Sequence, residues 1–160
     1  MNWTLSVLVE NKPGVLTRVT SLISRRGFNI ESLAVGTTED PTRSRITLVV
    51  DTDADSLEQI TKQLHKLVDV YKITNLTEED SIDRELVLFK VNAVPERRHE
   101  IIEVADVFRA SIVDFGRTSL TIEATGTAEK MAALDDLLRS YGIKEIVRTG
   151  KISLSRGSHD

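Results

Sequence analysis

The stretch Leu8-Val9-Glu10-Asn11-Lys12-Pro13-Gly14-Val15-Leu16-Thr17-Arg18-Val19 decides the fold, because the period of its hydrophobic residues changes within it. Upstream, Trp3, Leu5, Val7 and Val9 alternate with polar neighbours (Leu8 excepted), which is the period-two pattern of a half-buried strand. Downstream, Val15, Leu16, Val19, Leu22 and Ile23 recur at helical spacing, and Arg25-Arg26-Gly27 supplies basic residues and a glycine stop. A strand therefore hands over to a helix across residues 11–14.

Working outward, residues 29–37 and 44–51 read as two strands flanking a polar, proline-containing hairpin at 38–42. Asp55, followed by Ser56-Leu57-Glu58, has the form of a helix cap, and Leu57, Ile60, Leu64 and Leu67 form the apolar stripe of a second helix. A fourth strand follows at 70–76, which completes the order βαββαβ. Residues 77–83 are short, polar and acidic and read as a linker.

The element order then repeats without residue-level identity. Residues 85–91 form a strand, Pro95 opens a helix carrying Ile101, Ile102, Ala105 and Phe108, and a hairpin at 112–124 turns around Gly116-Arg117. Thr127 caps a helix bearing Met131, Leu134 and Leu138, and 144–148 is the last strand. The expected fold class is α+β: two ferredoxin-like βαββαβ units, each an antiparallel sheet with its helices on one face. The expected division is a first domain at 1–76, a linker at 77–83 and a second domain at 84–160.

Composition narrows the chemistry. With 40% hydrophobic and 29% charged residues the chain is an ordinary globular one. Its apolar runs are a few residues long, far short of the roughly 20 that span a bilayer. The N-terminus lacks the basic region of a signal peptide, so the expected location is cytoplasmic, with no membrane contact. The absence of cysteine excludes disulfides, thiolate metal sites and a cysteine nucleophile. A net charge of −4 and 4% aromatic residues disfavour nucleic acid, which needs a basic face and, for single strands, a stacking platform. No basic helix-turn-helix suggests a transcription factor.

Asp51-Thr52-Asp53-Ala54-Asp55 starts like a calcium loop but has Ser56 and Lys62 where that loop needs Gly and Glu, so it reads as a solvated turn. His65, His99 and His159 are scattered, and no nucleophile elbow, zinc motif or phosphate-cradling glycine loop is present. Neither catalytic nor metal-ligating residues are expected. The segment that can carry chemistry is again 11–16. Pro13 suits a helix start, Gly14 lets a ligand approach the backbone, and the free amides there favour a carboxylate; the same residues also suit an ordinary Pro-Gly turn.

Set in a βαββαβ unit, LVENKPGVLTRV resembles the ACT domain, a family of amino-acid-binding regulatory modules. With RRGFNIESLAVGTTEDPTRSRITLVV, EQITKQLHKLVDV and the closing RTGKISLSRG, the chain is similar to the small regulatory subunits of acetohydroxyacid (acetolactate) synthase, most densely over residues 5–75. The resemblance implies a subunit without its own active site. It would activate a large catalytic subunit and relay feedback inhibition by valine or another branched-chain amino acid. No cofactor is implied in this chain: thiamine diphosphate, FAD and Mg would belong to the catalytic partner. The resemblance further implies a homodimer through the ACT domains. The effector would lie between two chains, with Asn11, Gly14, Val15 and Leu16 of one facing Asn29 and Ile30 of the other. In that arrangement helix amides and Asn11 serve the carboxylate and the Asn29 carbonyl oxygen serves the ammonium. Ser21 and Ile23 stand where the family is associated with Gly and Phe, a departure that bears on effector affinity or selectivity.

Overall fold

The alternation in the first strand is realised as β1 (Asn2–Glu10), whose Trp3, Leu5, Val7 and Val9 are all buried on one side. The computed structural model describes residues 1–157; His159 lies outside the described residues. After β1 come α1 (Val15–Arg25), β2 (Asn29–Thr37), β3 (Arg43–Asp51), α2 (Ala54–His65) and β4 (Val70–Asn75). The strands form an antiparallel sheet of order β2-β3-β1-β4. Both helices lie on one face: Val15, Val19 and Ile23 of α1 and Leu57, Ile60 and Leu64 of α2 pack with Leu5, Val7, Ile46 and Leu48 in one apolar cluster. Gly27, at φ +76°, ends α1 in the left-handed conformation that a residue without Cβ adopts most readily.

One local expectation is corrected. Asp55 does not cap α2; Asp53 does, accepting from Ser56 N at 2.7 Å, while Asp55 occupies the first turn. Two acidic residues separated by one position both suit a helix start, and the backbone at Asp53 is the one that is extended, as a cap requires.

The second unit repeats the arrangement. It comprises β5 (Ser81–Asn92), a short 3₁₀ turn at Pro95–Arg97, α3 (Arg98–Val107), β6 (Ser111–Phe115), β7 (Ser119–Gly126), α4 (Ala128–Arg139) and β8 (Ile143–Arg148). Its sheet order is β6-β7-β5-β8, and its core gathers Phe89, Val91, Ile101, Ala105, Leu120, Ile122, Met131, Leu134 and Leu138. Thr127 caps α4 as expected, accepting from Lys130 N at 3.3 Å.

A ninth strand, β9 (Ile152–Ser155), was not legible in the sequence. By packing, the chain divides into Met1–Ile82 joined by the tail from Lys151, and Asp83–Gly150. The tail's hydrogen bonds explain its return to the first unit. Lys151 N donates to Ser32 Oγ (2.8 Å), Ser155 Oγ to Glu79 Oε2 (2.6 Å) and Arg156 N to Asp80 O (2.9 Å). The strand β5 also begins at Ser81, inside the stretch expected to be linker, 77–83.

Leu64 is fully buried and Val68, four residues on, is 93% exposed. Leu64→Ala is expected to destabilise the chain by about 2–5 kcal/mol in urea unfolding, and Val68→Ala by no more than about 0.5 kcal/mol. Equal effects would contradict the packing.

Candidate functional site

The segment 11–14 is pinned from two sides. On one side Asn11 N donates to Thr42 O (2.8 Å) and Asn11 Nδ2 to Pro41 O (3.0 Å), tying the loop to the β2–β3 turn. On the other stands Asp69, 5% exposed, which pairs with Lys12 Nζ at 3.2 Å and with the Arg18 guanidinium. Lys12 also reaches Glu10 at 3.3 Å. Burial works to raise the Asp69 carboxyl, but the hydrogen bonds and charges of Lys12 and Arg18 outweigh it and hold the group below the usual carboxylate value. The same contacts, first with Asp69 and then with Glu10, push the Lys12 ammonium up.

Gly14 precedes α1 at φ +86°, a backbone that side chains adopt only under strain, so glycine is required there. No side chain caps α1 and no acidic residue lies in its first turn. Val15 N donates to Lys12 O at 3.4 Å, which leaves the amides of Leu16 and Thr17 without a capping side chain beside Gly14, with the positive end of the helix dipole behind them. Arg18 Nη1 lies 3.5 Å from where a Cβ on Gly14 would stand, which adds a guanidinium to the same corner. A carboxylate is the group this corner suits.

The remaining candidates are placed as follows. Val15 is 2% exposed and its side chain belongs to the core, while Leu16 is 39% exposed beside the corner. Asn29 is exposed at the start of β2 and donates from Nδ2 to Glu31 Oε1 at 2.7 Å. Ile30 is partly buried against the apolar cluster. Of the two departures from the family pattern, Ile23 is fully buried and Ser21 is half-buried on α1.

The structure brings Asn11, Gly14 and Leu16 together and holds Asn29 away from them. Strand β3 runs from Arg43, which pairs with Glu10, to Asp51, which pairs with Asn29. Eight residue steps at roughly 3.3 Å put about 26 Å between the two ends. Within one chain, Asn11 and Asn29 cannot touch the same small molecule.

Sequence reading missed Asp69 and Arg18. The available signal was one acid inside the apolar run Leu67-Val68-Asp69-Val70, which a buried position tolerates only with a cation beside it. Among the described residues no group of three or more His, Cys, Asp or Glu is gathered as a metal would require, and no helix is long and apolar enough to cross a membrane.

Residues 5–72 match the family description of an AHAS small subunit-like ACT domain, and residues 84–157 that of the small subunit of acetolactate synthase. The chain is 54% identical over 158 residues to a probable acetolactate synthase small subunit of Archaeoglobus fulgidus, covering 99% of both chains. It is 58% identical over 154 residues to the acetolactate synthase small subunit of Mycolicibacterium smegmatis, covering 96% of this chain and 91% of that one. Its structure superposes on the crystal structure of the acetolactate synthase small subunit from Thermotoga maritima with a TM-score of 0.89, at 40% identity, covering 98% of each.

Because the Asp69 carboxyl is held below its ordinary value, its contribution to stability is present above the unfolded value of about 4 and is lost as pH falls through the folded value. Asp69→Asn is expected to lower the thermal midpoint at pH 7 and to flatten its decline below about pH 4. An unaltered acid limb in the variant would show that the carboxylate is not paired in solution.

Proposed function

The chain belongs to the acetolactate synthase small-subunit family, regulatory and non-catalytic subunits in branched-chain amino acid biosynthesis, and from that membership we propose how it regulates. It acts in the cytoplasm, raises the activity of a large catalytic subunit, and relays feedback from valine or another branched-chain amino acid bound between the first units of two copies. The thiamine diphosphate, FAD and magnesium of the reaction belong to the large subunit.

The observation that carries the reading is the separation of the two residue groups along β3. An effector that uses both Asn11 and Asn29 must take them from different chains. Strand β2 is an edge of its sheet, with one side of its backbone left for pairing. Two β2 strands paired antiparallel about Leu33 would bring Asn29 of one copy opposite Thr37 of the other, next to the turn whose Pro41 and Thr42 carbonyls hold Asn11. The effector's carboxylate then lies at the outward amides beside Gly14, its apolar side chain against Leu16, and its ammonium at the Asn29 side-chain oxygen. Val15 supports this corner from the core, and Ile30 anchors the start of β2 in the same way.

Two experiments test the proposal. Added to the catalytic subunit from the same source, the chain should raise turnover while showing none alone; an unchanged rate overturns the activating role. Asn11→Ala and Asn29→Ala should each weaken valine binding tenfold to 150-fold, because a hydrogen bond to a charged group contributes about 1.5–3 kcal/mol. A mixed dimer with one chain of each variant should regain one intact site of two, an outcome that a pocket within one chain cannot produce.

A ligand that spans two chains also stabilises their association, by about 2.7 kcal/mol per site at 100 times its Kd. In sedimentation velocity at low protein concentration, saturating valine should convert monomer to dimer. A monomer fraction that persists while calorimetry shows every chain occupied excludes the interfacial site.

A further inference from the structure

The face of the first sheet turned away from α1 and α2 is neither a plain solvated surface nor a packed core. Its central positions are polar and buried: Thr4, Ser6 and Thr47 are 5%, 3% and 3% exposed. Register sets them in rows, with Ser6 opposite both Thr47 and Thr74, and Leu8 opposite both Arg45 and Lys72. Over this face runs the tail. Lys151 N is bonded to Ser32 Oγ on β2 and Ser155 Oγ to Glu79 beyond the end of β4, so β9 crosses from one edge of the sheet to the other. Ser153, 5% exposed, faces inward, and Ile152 and Leu154, 57% and 61% exposed, face out.

The tail does not fill the space beneath it. A groove of roughly 790 Å³ remains between β1, β4 and β9, with Ser6 and Leu8 on its floor and Arg45 and Lys72 on its walls. That volume falls within the range of small-molecule sites, about 300–1,000 Å³.

Charge says which ligand the groove suits. Several basic residues around this sheet are answered: Lys12 and Arg18 by Asp69, Arg43 by Asp40, Arg156 by Asp80. Arg45 and Lys72 form no ion pair among the described residues, although they flank Leu8 on the two strands beside β1. Arg45 is also held in place, donating from Nη1 to Ser6 Oγ at 2.9 Å, which leaves the rest of its guanidinium fork for a ligand. The acids of the groove, Glu78 and Glu79, lie beyond Leu76, four residues or about 13 Å along β4 from Lys72, and Glu79 is engaged by Ser155. They do not neutralise the cationic end.

We propose that this groove is a second ligand site, separate from the amino-acid site and independent of that reading, which binds a small oxyanion-bearing molecule at its Arg45–Lys72 end. Phosphate-bearing and polycarboxylate ligands share the chemistry recognised here: the planar fork of Arg45 receives two oxygens, Lys72 contributes a point charge, and the hydroxyls of Ser6 and Thr74 border the same rows.

Calorimetry on the full chain, in a buffer free of phosphate and with sodium chloride at matched ionic strength, tests the site with inorganic phosphate, pyrophosphate and citrate. Saturable binding of pyrophosphate or citrate is expected, tighter for pyrophosphate if the natural ligand bears phosphate and tighter for citrate if it is a polycarboxylate. Lys72→Gln and Arg45→Gln should each weaken that binding at least tenfold and leave valine affinity unchanged. Lys72 is exposed and bonded to no other side chain, so its variant keeps the test valid if Arg45→Gln perturbs folding. No saturable binding of any of the three anions, or equal affinity in the parent and Lys72→Gln, overturns the proposal. So does a Lys72→Glu variant that loses activation of the catalytic subunit while the parent binds no anion, since the face is then a contact between proteins.

Discussion

Asp69 sits just before β4, 5% exposed, where an ionised carboxylate is tolerated only if cations neutralise it. Both of its cations come from the segment joining β1 to α1: Lys12 within the loop and Arg18 one turn into the helix. The requirement to satisfy one buried charge thereby fixes the entry of α1 over the sheet. With that entry fixed, Gly14 takes up its left-handed conformation, the leading amides of α1 stay uncapped, and Asn11 is left within reach of the Pro41 and Thr42 carbonyls. The polar corner follows from a constraint on the opposite side of the loop.

The fold was legible because its information is local and periodic. Period two in β1 and period 3.6 in α1 and α2 survive in the structure almost residue for residue, since each element buries one face against a single apolar cluster. What could not be read depends on residues far apart in sequence. Asp69 and Arg18 are 51 positions apart, and although an acid in an apolar run calls for a cation, nothing near it says which one. The return of the tail rests on Lys151 meeting Ser32 across 119 positions. The site was half legible on the same grounds: Asn11 and Gly14 advertise a turn by their own chemistry, whereas Asn29 sits at a strand start that any polar residue could occupy. Its proposed place in the site rests on family resemblance and not on its surroundings.

The geometry of the sheet decides more than the side chains do. Nine residues of β3 set a fixed length between Asn11 and Asn29, and no rotamer change spans about 26 Å. Any small ligand that needs both ends of this sheet therefore requires two sheets in opposite orientation, which is what a two-fold axis at the β2 edge supplies. An exposed edge strand is ordinarily a liability, and neither charge nor proline blunts the middle of β2, where Ser32, Leu33 and Ala34 stand. Its composition suits an edge meant to be covered.

The two faces of the first sheet are thus put to different uses. One is sealed by α1 and α2 and holds the apolar cluster; the other keeps polar residues beneath a tail that covers without filling. Strand β3 connects the uses. Arg43 at its start adjoins the turn that holds Asn11, and Arg45, two residues on and on the same face, reaches into the groove. A displacement of β3 that altered the turn would carry Arg45 with it, because a strand held by ladders on both sides moves as a unit. Ligands at the β2 edge and in the groove would then be linked through that strand. Such linkage is reciprocal: whatever factor one ligand imposes on the affinity of the other, the other returns.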